Sequence, residues 1–320
     1  VDVEIFNQMM KEQKERARKN WKGTGDQEDH KNLFKITENL SSTEFLGYEQ
    51  NESESEIISI IKSDIKTDQL KEGEEGIVIL NQTPFYGESG GQVGDTGTIV
   101  FENNIFEVND TSKLFGSFYL HHGKVKNGKF KIGDSITAAI DSNKRQLIKC
   151  NHSSTHLLHA SLRKILGNHV SQKGSLVNSE KLRFDFSHNE PISSENIFKI
   201  ENFVNEQITA NSQIEIKTID HQKAIEEGAM ALFGEKYGDE VRVVSMGTVE
   251  DDKKFSTELC GGTHVNRTGD ILDFKIINQS SVASGIKRIE AITNIAVDQH
   301  TKQKMQLDTK ILKESIEKIS

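Results

Sequence analysis

The sequence predicts an α+β protein in which a small β-barrel domain is followed by a two-layer α/β domain. Short β-type segments separated by Gly and Asn turns fill residues 57–140, which is typical of a small barrel. A helical period begins at Asp141, and strands then alternate with helices as far as residue 297. The chain has 320 residues, which at roughly 100 to 200 residues per domain predicts two domains, or three if one of them is small.

The barrel strands are predicted from short apolar or alternating stretches that end at turn residues. They are Gly76–Leu80, Gly97–Phe101, Ile105–Val108, Phe118–His121 and Asp134–Ile140. The segment from Gly87 to Gly97 contains five glycines but lacks the Lys-Ser/Thr and the following helix of a phosphate-binding loop. We therefore interpret this glycine-rich loop, residues 87–97, as a turn between barrel strands.

A long helix is predicted after the barrel, because Asp141 or Ser142 can cap its start and Gly167 can end it. Its apolar positions are Leu147, Ile148, Leu158, Leu162, Ile165 and Leu166. Further helices are predicted at 193–210 and 221–232, and further strands at 181–186, 213–219, 240–245 and 271–277.

Helical segments are also predicted at both ends of the chain. Residues 6–20 are charged and rich in helix formers, and the segment from residue 295 onward has apolar residues spaced as in the start of a coiled coil. We divide the chain into a linker helix (1–35), a β-barrel domain (36–140), an α/β domain (141–297) and the start of a helical or coiled-coil segment (298–320). Because the sequence begins at Val1 without a methionine, we expect a piece of a longer protein.

The composition argues against a secreted or membrane protein. No apolar run approaches the ~18 residues of a membrane span, and no signal peptide is recognisable. Two cysteines cannot form a disulfide framework, so Cys150 and Cys260 are packed thiols, reactive thiols or metal ligands. A cytoplasmic location is predicted.

The net charge of −9 is unevenly distributed along the chain. Residues 44–75 carry ten acids and three bases, whereas residues 141–190 carry four acids and eight bases. A local basic field inside an acidic chain is compatible with contact to nucleic acid. The eight bases are Lys144, Arg145, Lys149, Arg163, Lys164, Lys173, Lys181 and Arg183.

Two distant segments together predict a metal site. On the long helix, His152 and His156 are four residues apart and therefore lie on one face. Downstream, Cys260 and His264 are also four apart, with two glycines that allow a tight turn. Imidazole and thiolate ligands suit Zn²⁺ better than Mg²⁺ or Ca²⁺. Position 153 is Ser, so the general base of a His-Glu-x-x-His metalloprotease is absent and peptide hydrolysis is disfavoured.

Other residues around these segments are given less specific interpretations. Cys150 lies off the ligand face of the helix and is predicted to be a buried thiol. His159 is predicted to support the ligands or to pack beside them. The segment His169–Val177 brings an amide, a lysine and a glycine close to the predicted metal helix, which would suit the orientation of a polar substrate.

Six segments in this order resemble the editing region of alanyl-tRNA synthetases. They are the glycine-rich loop, His152–His156, His169–Ser175, Leu182–Phe186, Cys260–His264 and Ser281–Ala291. The charged stretch at 6–20 resembles the linker ahead of that region. Free-standing alanyl-tRNA editing proteins and the editing domain of threonyl-tRNA synthetase are similar too. The resemblance implies that 36–140 is the family's barrel and 141–297 a zinc-containing editing domain.

The implied activity is hydrolysis of tRNA(Ala) that has been mischarged with serine or glycine. The resemblance implies Zn²⁺ as the cofactor and mischarged tRNA as the partner, with no membrane involved. ATP and alanine would bind only in an aminoacylation core that this chain lacks. Two alternatives stay open: a structural-zinc module that binds tRNA without hydrolysis, and a free-standing trans-editing deacylase.

The family's site residues transfer to matching positions of this sequence. The metal ligands would be His152, His156, Cys260 and His264. Thr155 and Gln172 would recognise the wrong amino acid. Together with Cys260, they are the residues expected to take part in catalysis. Thr155, Gln172, Lys173, Lys144 and Arg145 are expected to contact the substrate, the basic ones along the acceptor end. Because four protein ligands usually make a zinc site structural, catalysis would need a labile ligand, either His264 or Cys260.

Overall fold

The computed structural model describes residues 33, 36–38, 40–230, 239–249 and 253–317, with side chains only up to residue 310 in the last range. The predicted linker helix at 6–20, within the segment 1–35, lies outside these residues. The helices are α1 Ser142–Leu166, α2 Ser194–Thr209, α3 His221–Glu226 and α4 Ile295–Glu317, with a 3-10 helix at Thr268–Ile271. No described helix combines the length and the apolar composition that a membrane span requires.

The described strands form a barrel and two smaller open sheets, together with short two-stranded pairs. Their bounds are β1 Glu44–Phe45, β2 Glu52–Lys62, β3 Ile65–Thr67, β4 Gln69–Lys71, β5 Glu75–Leu80, β6 Gln82–Thr83, β7 Gly97–Phe101, β8 Asn104–Leu114, β9 Phe118–Asn127, β10 Lys129–Lys131, β11 Ser135–Ile140, β12 Gln172–Val177, β13 Leu182–Ser187, β14 Glu215–Asp220, β15 Glu240–Met246, β16 Ser256–Leu259, β17 Phe274–Ala283 and β18 Ile286–Thr293.

Six strands close the barrel. They run in the order β11-β7-β8-β9-β5-β2, and β11 pairs with β2 to complete the circle. Inward-facing residues such as Ile57, Val78, Ile99, Phe106 and Phe130 fill the interior and are fully buried. Since closure leaves no unpaired edge among these six strands, the barrel is a rigid support for its loops.

Strand β2 was not among the predicted strands, because its first half is polar. Its sequence alternates Glu and Ser before it turns apolar at Ile57. Ser53 and Ser55 nevertheless point inward, and their hydroxyls hydrogen-bond each other at 3.0 Å. The alternation of a strand is therefore present, but serine takes the place of the apolar residues that the prediction requires.

Helix α1 is the centre of the second part of the molecule. The Asp141 side chain caps it by accepting from the amides of Asn143 and Lys144, and the chain leaves it at Gly167, as the sequence predicts. From Cys150 to Leu162 every residue is buried. One side packs on α2 and on the four-stranded sheet β12-β13-β18-β17, whose core includes Phe184 and Phe186. The opposite side contributes polar residues to the site.

A third sheet, β14-β15-β16, lies beside α1 and leads into the segment that contains Cys260. The predicted α+β class, with a barrel followed by an α/β part, is confirmed. The predicted helix at 221–232 is too long, since α3 ends at Glu226 and Gly228 then takes a positive φ. The predicted helix near the end of the chain is present as α4.

Candidate metal centre

Two ligand candidates lie on one face of α1. The imidazoles of His152 and His156 are stacked with their centroids 5.3 Å apart, as expected for residues one helical turn apart. Both side chains are almost fully buried. The helix therefore presents two imidazoles inside the protein, where unpartnered polar atoms are costly.

The second pair of ligand candidates comes from the loop that follows β16. Cys260 Sγ lies 3.5 Å from His152 Nε2 and 3.3 Å from His264 Nε2. The potential ligand atoms of His152, His156, Cys260 and His264 all lie within 4.8 Å of one another. The structure thus brings together the four residues that the sequence predicts as metal ligands.

Glycine at position 262 allows the loop to pass close to α1. A Cβ atom at this position would lie 2.0 Å from His152 Cε1 and 2.9 Å from Gln92 Oε1. Both of those groups are buried and hydrogen-bonded, so they cannot move away cheaply. No side chain larger than that of glycine therefore fits at position 262, beside the candidate metal centre.

Hydrogen bonds at the Nδ1 atoms orient the three imidazoles. His152 Nδ1 donates to Gln92 Oε1 at 2.7 Å, and His156 Nδ1 donates to the Glu258 carboxylate. The Gln92 oxygen is identified by the backbone N–H of Thr263, which can only donate and lies 2.9 Å from it. His264 Nδ1 lies 3.2 Å from the Ser153 hydroxyl. In neutral rings with the proton on Nδ1, the Nε2 lone pairs are directed at the centre, which is the usual arrangement of metal-bound histidines.

The residues present fit a metal ion. His156 Nε2 is buried and has no hydrogen-bond partner among the described residues. A buried lone pair without a donor is unfavourable unless a cation satisfies it. Three nitrogen donors and one sulfur donor form the type of set that binds zinc and similar transition metals.

The electrostatics favour the ligand forms of Cys260 and His264. Burial raises the pKa of the Cys260 thiol, but the surrounding imidazoles, His152 first, outweigh burial and hold this pKa well below its usual value. Burial lowers the pKa of His264 to about 3, so this imidazole stays neutral. A thiolate and neutral imidazoles are the forms that bind metal. Burial lowers the pKa of His156, but Glu258 and Cys260 outweigh burial and raise this pKa to about 10, so His156 must give up a proton when it binds a metal.

Glu258 is a buried carboxylate that connects two histidines of α1. It accepts from His156 Nδ1 and, at 2.7 Å, from His159 Nδ1. Burial alone raises the pKa of Glu258, but His156 and His159 lower it to about 2, so the carboxylate is charged. His159 therefore supports a ligand indirectly, through Glu258, as the sequence analysis expected of it.

Two segments of the chain match known families. Residues 1–144 match the family described as tRNA synthetases class II (A), and residues 241–290 match the threonyl and alanyl tRNA synthetase second additional domain. Both descriptions are of tRNA synthetases, and the second names the alanyl type. The chain belongs to the alanyl-tRNA synthetase family. Membership gives it a tRNA synthetase-related editing role, with tRNA as the partner.

The candidate metal centre of this alanyl-tRNA synthetase family member joins three parts of the chain. Gln92 lies in the first matched segment, Cys260 and His264 lie in the second, and the two histidines of α1 lie between the matches. Sequence reasoning missed Gln92 because the glycine-rich loop was interpreted as a turn. It also missed Glu258, whose only signal in the sequence is its position two residues before Cys260.

Two residues expected to recognise the amino acid lie on different elements. Thr155 is on α1, next to His156, and is nearly buried. Its hydroxyl donates to Asn151 O at 2.9 Å, which leaves the hydroxyl oxygen able to accept. Gln172 begins β12 opposite Phe186 and is half-buried. Among the described residues, none hydrogen-bonds its side-chain amide.

The basic residues expected along the tRNA have different surroundings in this family member. Lys173 and Lys144 are exposed, and Lys144 Nζ lies 3.3 Å from Thr96 Oγ1. Arg145 is only 1% exposed, contrary to the expected contact with the acceptor end. Its guanidinium pairs with Asp95 and donates to Gly47 O at 2.7 Å. It joins α1 to the glycine-rich loop and does not face solvent.

Other members of the basic stretch are also used within the fold. Lys164 Nζ lies 4.2 Å from the ring centroid of Phe203, and Lys181 pairs with Glu290. Arg183 Nε also lies 3.9 Å from Asp185. Part of the positive charge of residues 141–190 is therefore paired within the fold.

Proposed function

We propose that this chain hydrolyses the ester bond of tRNA(Ala) mischarged with serine or glycine. The observation that carries the proposal is the buried cluster of three imidazoles and one thiolate, built on α1 and on the segment that matches the second additional domain of threonyl and alanyl synthetases. We further propose that residues 36–140 and 141–297 are the barrel and editing domains, with 298–320 as the start of a helical or coiled-coil segment.

The proposed cofactor is zinc, held by His152, His156, Cys260 and His264. Bound there, zinc supplies a concentrated positive charge that polarises the ester or a water next to it. The three histidines are buried, whereas Cys260 is only partly buried. Cys260 is therefore the ligand closest to an approaching substrate and the best candidate for the labile position, in preference to His264.

The need for such a reaction follows from the small size of alanine. An aminoacylation pocket for alanine cannot strongly reject glycine, which is smaller, or serine, which adds a hydroxyl. A difference of this size is worth only ~1 to 3 kcal/mol. A second site that hydrolyses the wrong products solves this problem, and it must accept serine while sparing alanine.

Thr155 is proposed to read the serine hydroxyl. Its own proton is given to Asn151 O, so its oxygen is an acceptor for a serine O–H. Alanine offers no hydroxyl to this acceptor. Gln172 is proposed to position the ester through its side-chain amide, which no described residue engages.

The exposed ammonium groups of Lys173 and Lys144 are proposed to contact the acceptor end of the tRNA. Each carries one positive charge at the surface, and neither has an ion-pair partner among the described residues. Phosphate contacts of this kind weaken as salt rises. Arg145 is left out of this proposal because its guanidinium is buried against Asp95.

The test is a deacylation assay with tRNA(Ala) charged with serine, glycine or alanine, with and without a chelator. We expect hydrolysis of the first two, loss of it on metal removal, and loss in Cys260→Ala. Cys150→Ala is the matched control, because Cys150 is a buried thiol of α1 outside the cluster. Full metal content with full activity in Cys260→Ala would refute the role of this cluster. Binding of tRNA without hydrolysis would favour the non-catalytic tRNA-binding module.

A further inference from the structure

Tyr48 and Arg242 hold the metal-binding loop from its outer side. The Tyr48 hydroxyl donates to Gly261 O at 2.6 Å. Arg242 Nη1 donates to Cys260 O at 2.8 Å and to Gly262 O at 2.9 Å. The guanidinium carbon lies 4.2 Å from the centroid of the Tyr48 ring. A tyrosine that precedes the barrel and an arginine of β15 thus meet directly over the Cys260 ligand.

This side of the candidate metal centre is the one that reaches solvent. Cys260 is the only one of the four ligands that is not buried, and Gly261 beside it is exposed. Tyr48 is 45% exposed, although its hydroxyl is engaged by the loop. Part of the residue therefore stays accessible while its hydroxyl holds the loop. An exposed aromatic ring beside a buried reactive centre suggests a contact surface for a ligand.

Aromatic residues fix the Tyr48 ring from inside the protein. The Phe45 ring meets it edge to face, with centroids 4.9 Å apart, and also stacks on Tyr119 at 5.3 Å. Tyr86 also meets the Phe45 ring edge to face, with centroids 6.0 Å apart, and both Tyr86 and Tyr119 are buried. The ring of Tyr48 is consequently held in place before any ligand arrives, which reduces the entropy lost on binding.

Arg242 retains capacity for an anion. Its side chain is half-buried, yet it has no carboxylate partner among the described residues. Only Nη1 is engaged by these residues, so Nε and Nη2 keep their hydrogens available. Arg145 and Arg288, in contrast, each pair with an aspartate. A half-buried guanidinium with unused donors is well suited to a phosphate group.

We propose that Tyr48 and Arg242 form a platform for the terminal nucleotide of the tRNA. The base stacks on the Tyr48 ring, and the phosphate of the same nucleotide binds the remaining guanidinium donors of Arg242. Stacking on an aromatic side chain together with contact to the backbone phosphate is how single-stranded nucleic acid is generally held. The inference rests on the proposed function, since the ester lies on the ribose of that nucleotide.

The test measures direct binding of small analogues by calorimetry. The probe is adenosine 5′-monophosphate that carries serine in a non-hydrolysable 3′-amide, and it is compared with the same compound without the base. We expect wild type to prefer the compound with the base by roughly 10-fold or more. Tyr48→Phe should keep this ratio, whereas Tyr48→Leu should reduce it towards one. Phe198→Leu, at an exposed ring of α2, is the control and should not change it.

The same probes separate a platform from a purely structural role. If Tyr48→Leu weakened both compounds equally, or if wild type bound them equally or bound neither, the platform would be overturned. A third compound replaces the 5′-phosphate of the probe by a hydroxyl. We expect wild type to prefer the phosphate compound and Arg242→Met to lose this preference. An unchanged preference in Arg242→Met would overturn the proposed phosphate contact. Metal content and circular dichroism check that each variant folds.

The deacylation assay and the binding assay together distinguish failure of the proposed function from failure of the platform. Wild type that leaves seryl-tRNA intact but prefers the compound with the base would refute hydrolysis and keep the platform. Wild type that hydrolyses seryl-tRNA but binds both compounds equally would keep hydrolysis and refute the platform.

Discussion

Gln92 Oε1 lies 2.7 Å from His152 Nδ1, so a loop of the barrel orients a ligand of the candidate metal centre. The same oxygen accepts from the Thr263 amide, and Gln92 Nε2 donates to the Thr263 hydroxyl at 2.9 Å. One fully buried side chain therefore connects the barrel, α1 and the Cys260–His264 loop. The barrel therefore contributes a side chain to the candidate metal centre.

Replacement of Gln92 by Met should weaken metal binding by about 10- to 100-fold, because the Nδ1–H of His152 loses its acceptor. The measurement is competition with a chromogenic chelator. Gln50→Met, at an exposed position of the same region, is the control and should leave the affinity unchanged. Equal affinities in all three proteins would contradict the role assigned to Gln92.

Replacement of Thr155 by Val should lower hydrolysis of seryl-tRNA more than that of glycyl-tRNA. Valine keeps the shape but removes the acceptor for the serine hydroxyl, a loss of ~1 to 2 kcal/mol or about 5- to 30-fold. The ratio of kcat/KM for the two substrates is the quantity to measure. Thr301→Val removes a similar hydroxyl-to-carbonyl bond on α4 and should not change the ratio. A parallel loss on both substrates would instead indicate damage to α1.

Removal of one partner of the buried Arg145–Asp95 pair should destabilise the fold. Arg145→Met leaves a buried carboxylate unpaired, and we expect the free energy of unfolding to fall by ~3 to 5 kcal/mol. Urea denaturation measures this change. Lys62→Met breaks an exposed pair with Glu74 and should cost less than ~1 kcal/mol. Similar small effects in both variants would show that Arg145 does not cross-link the fold.

His121 should make the barrel less stable in acid. Burial lowers the pKa of His121 to about 4 in the folded state, whereas an unfolded histidine titrates near 6.5. The stability that neutral His121 contributes is thus complete above the unfolded pKa and is lost as the pH falls towards 4. Between pH 7 and pH 5 we expect a loss of about 2 kcal/mol that is absent in His121→Gln. Identical pH dependence of unfolding in the two proteins would refute this.

The local elements of the site could be predicted from sequence because their signals are local. The cap at Asp141, the stop at Gly167 and the i, i+4 spacing of His152 and His156 all depend on neighbouring residues. The pairing of these histidines with Cys260 and His264 was predicted from ligand chemistry, and the structure brings the four together.

The supporting residues could not be predicted, because their roles depend on contacts between distant segments. Gln92 is 171 residues from Thr263 in sequence, and Glu258 is 102 residues from His156. Neither has a motif of its own. Arg145 shows the converse: its charge suggested contact with tRNA, but Asp95 lies 50 residues earlier and pairs with it inside the protein.

The long-range bond between Gln92 and Thr263 also has a consequence for folding. Contacts between residues so far apart form late, since the entropy of closing the loop must be overcome first. The barrel, α1 and β16 must all be in place before the four ligands meet with their imidazoles oriented. High-affinity metal uptake should therefore accompany the last step of folding, and the rate of that uptake would report when folding is complete.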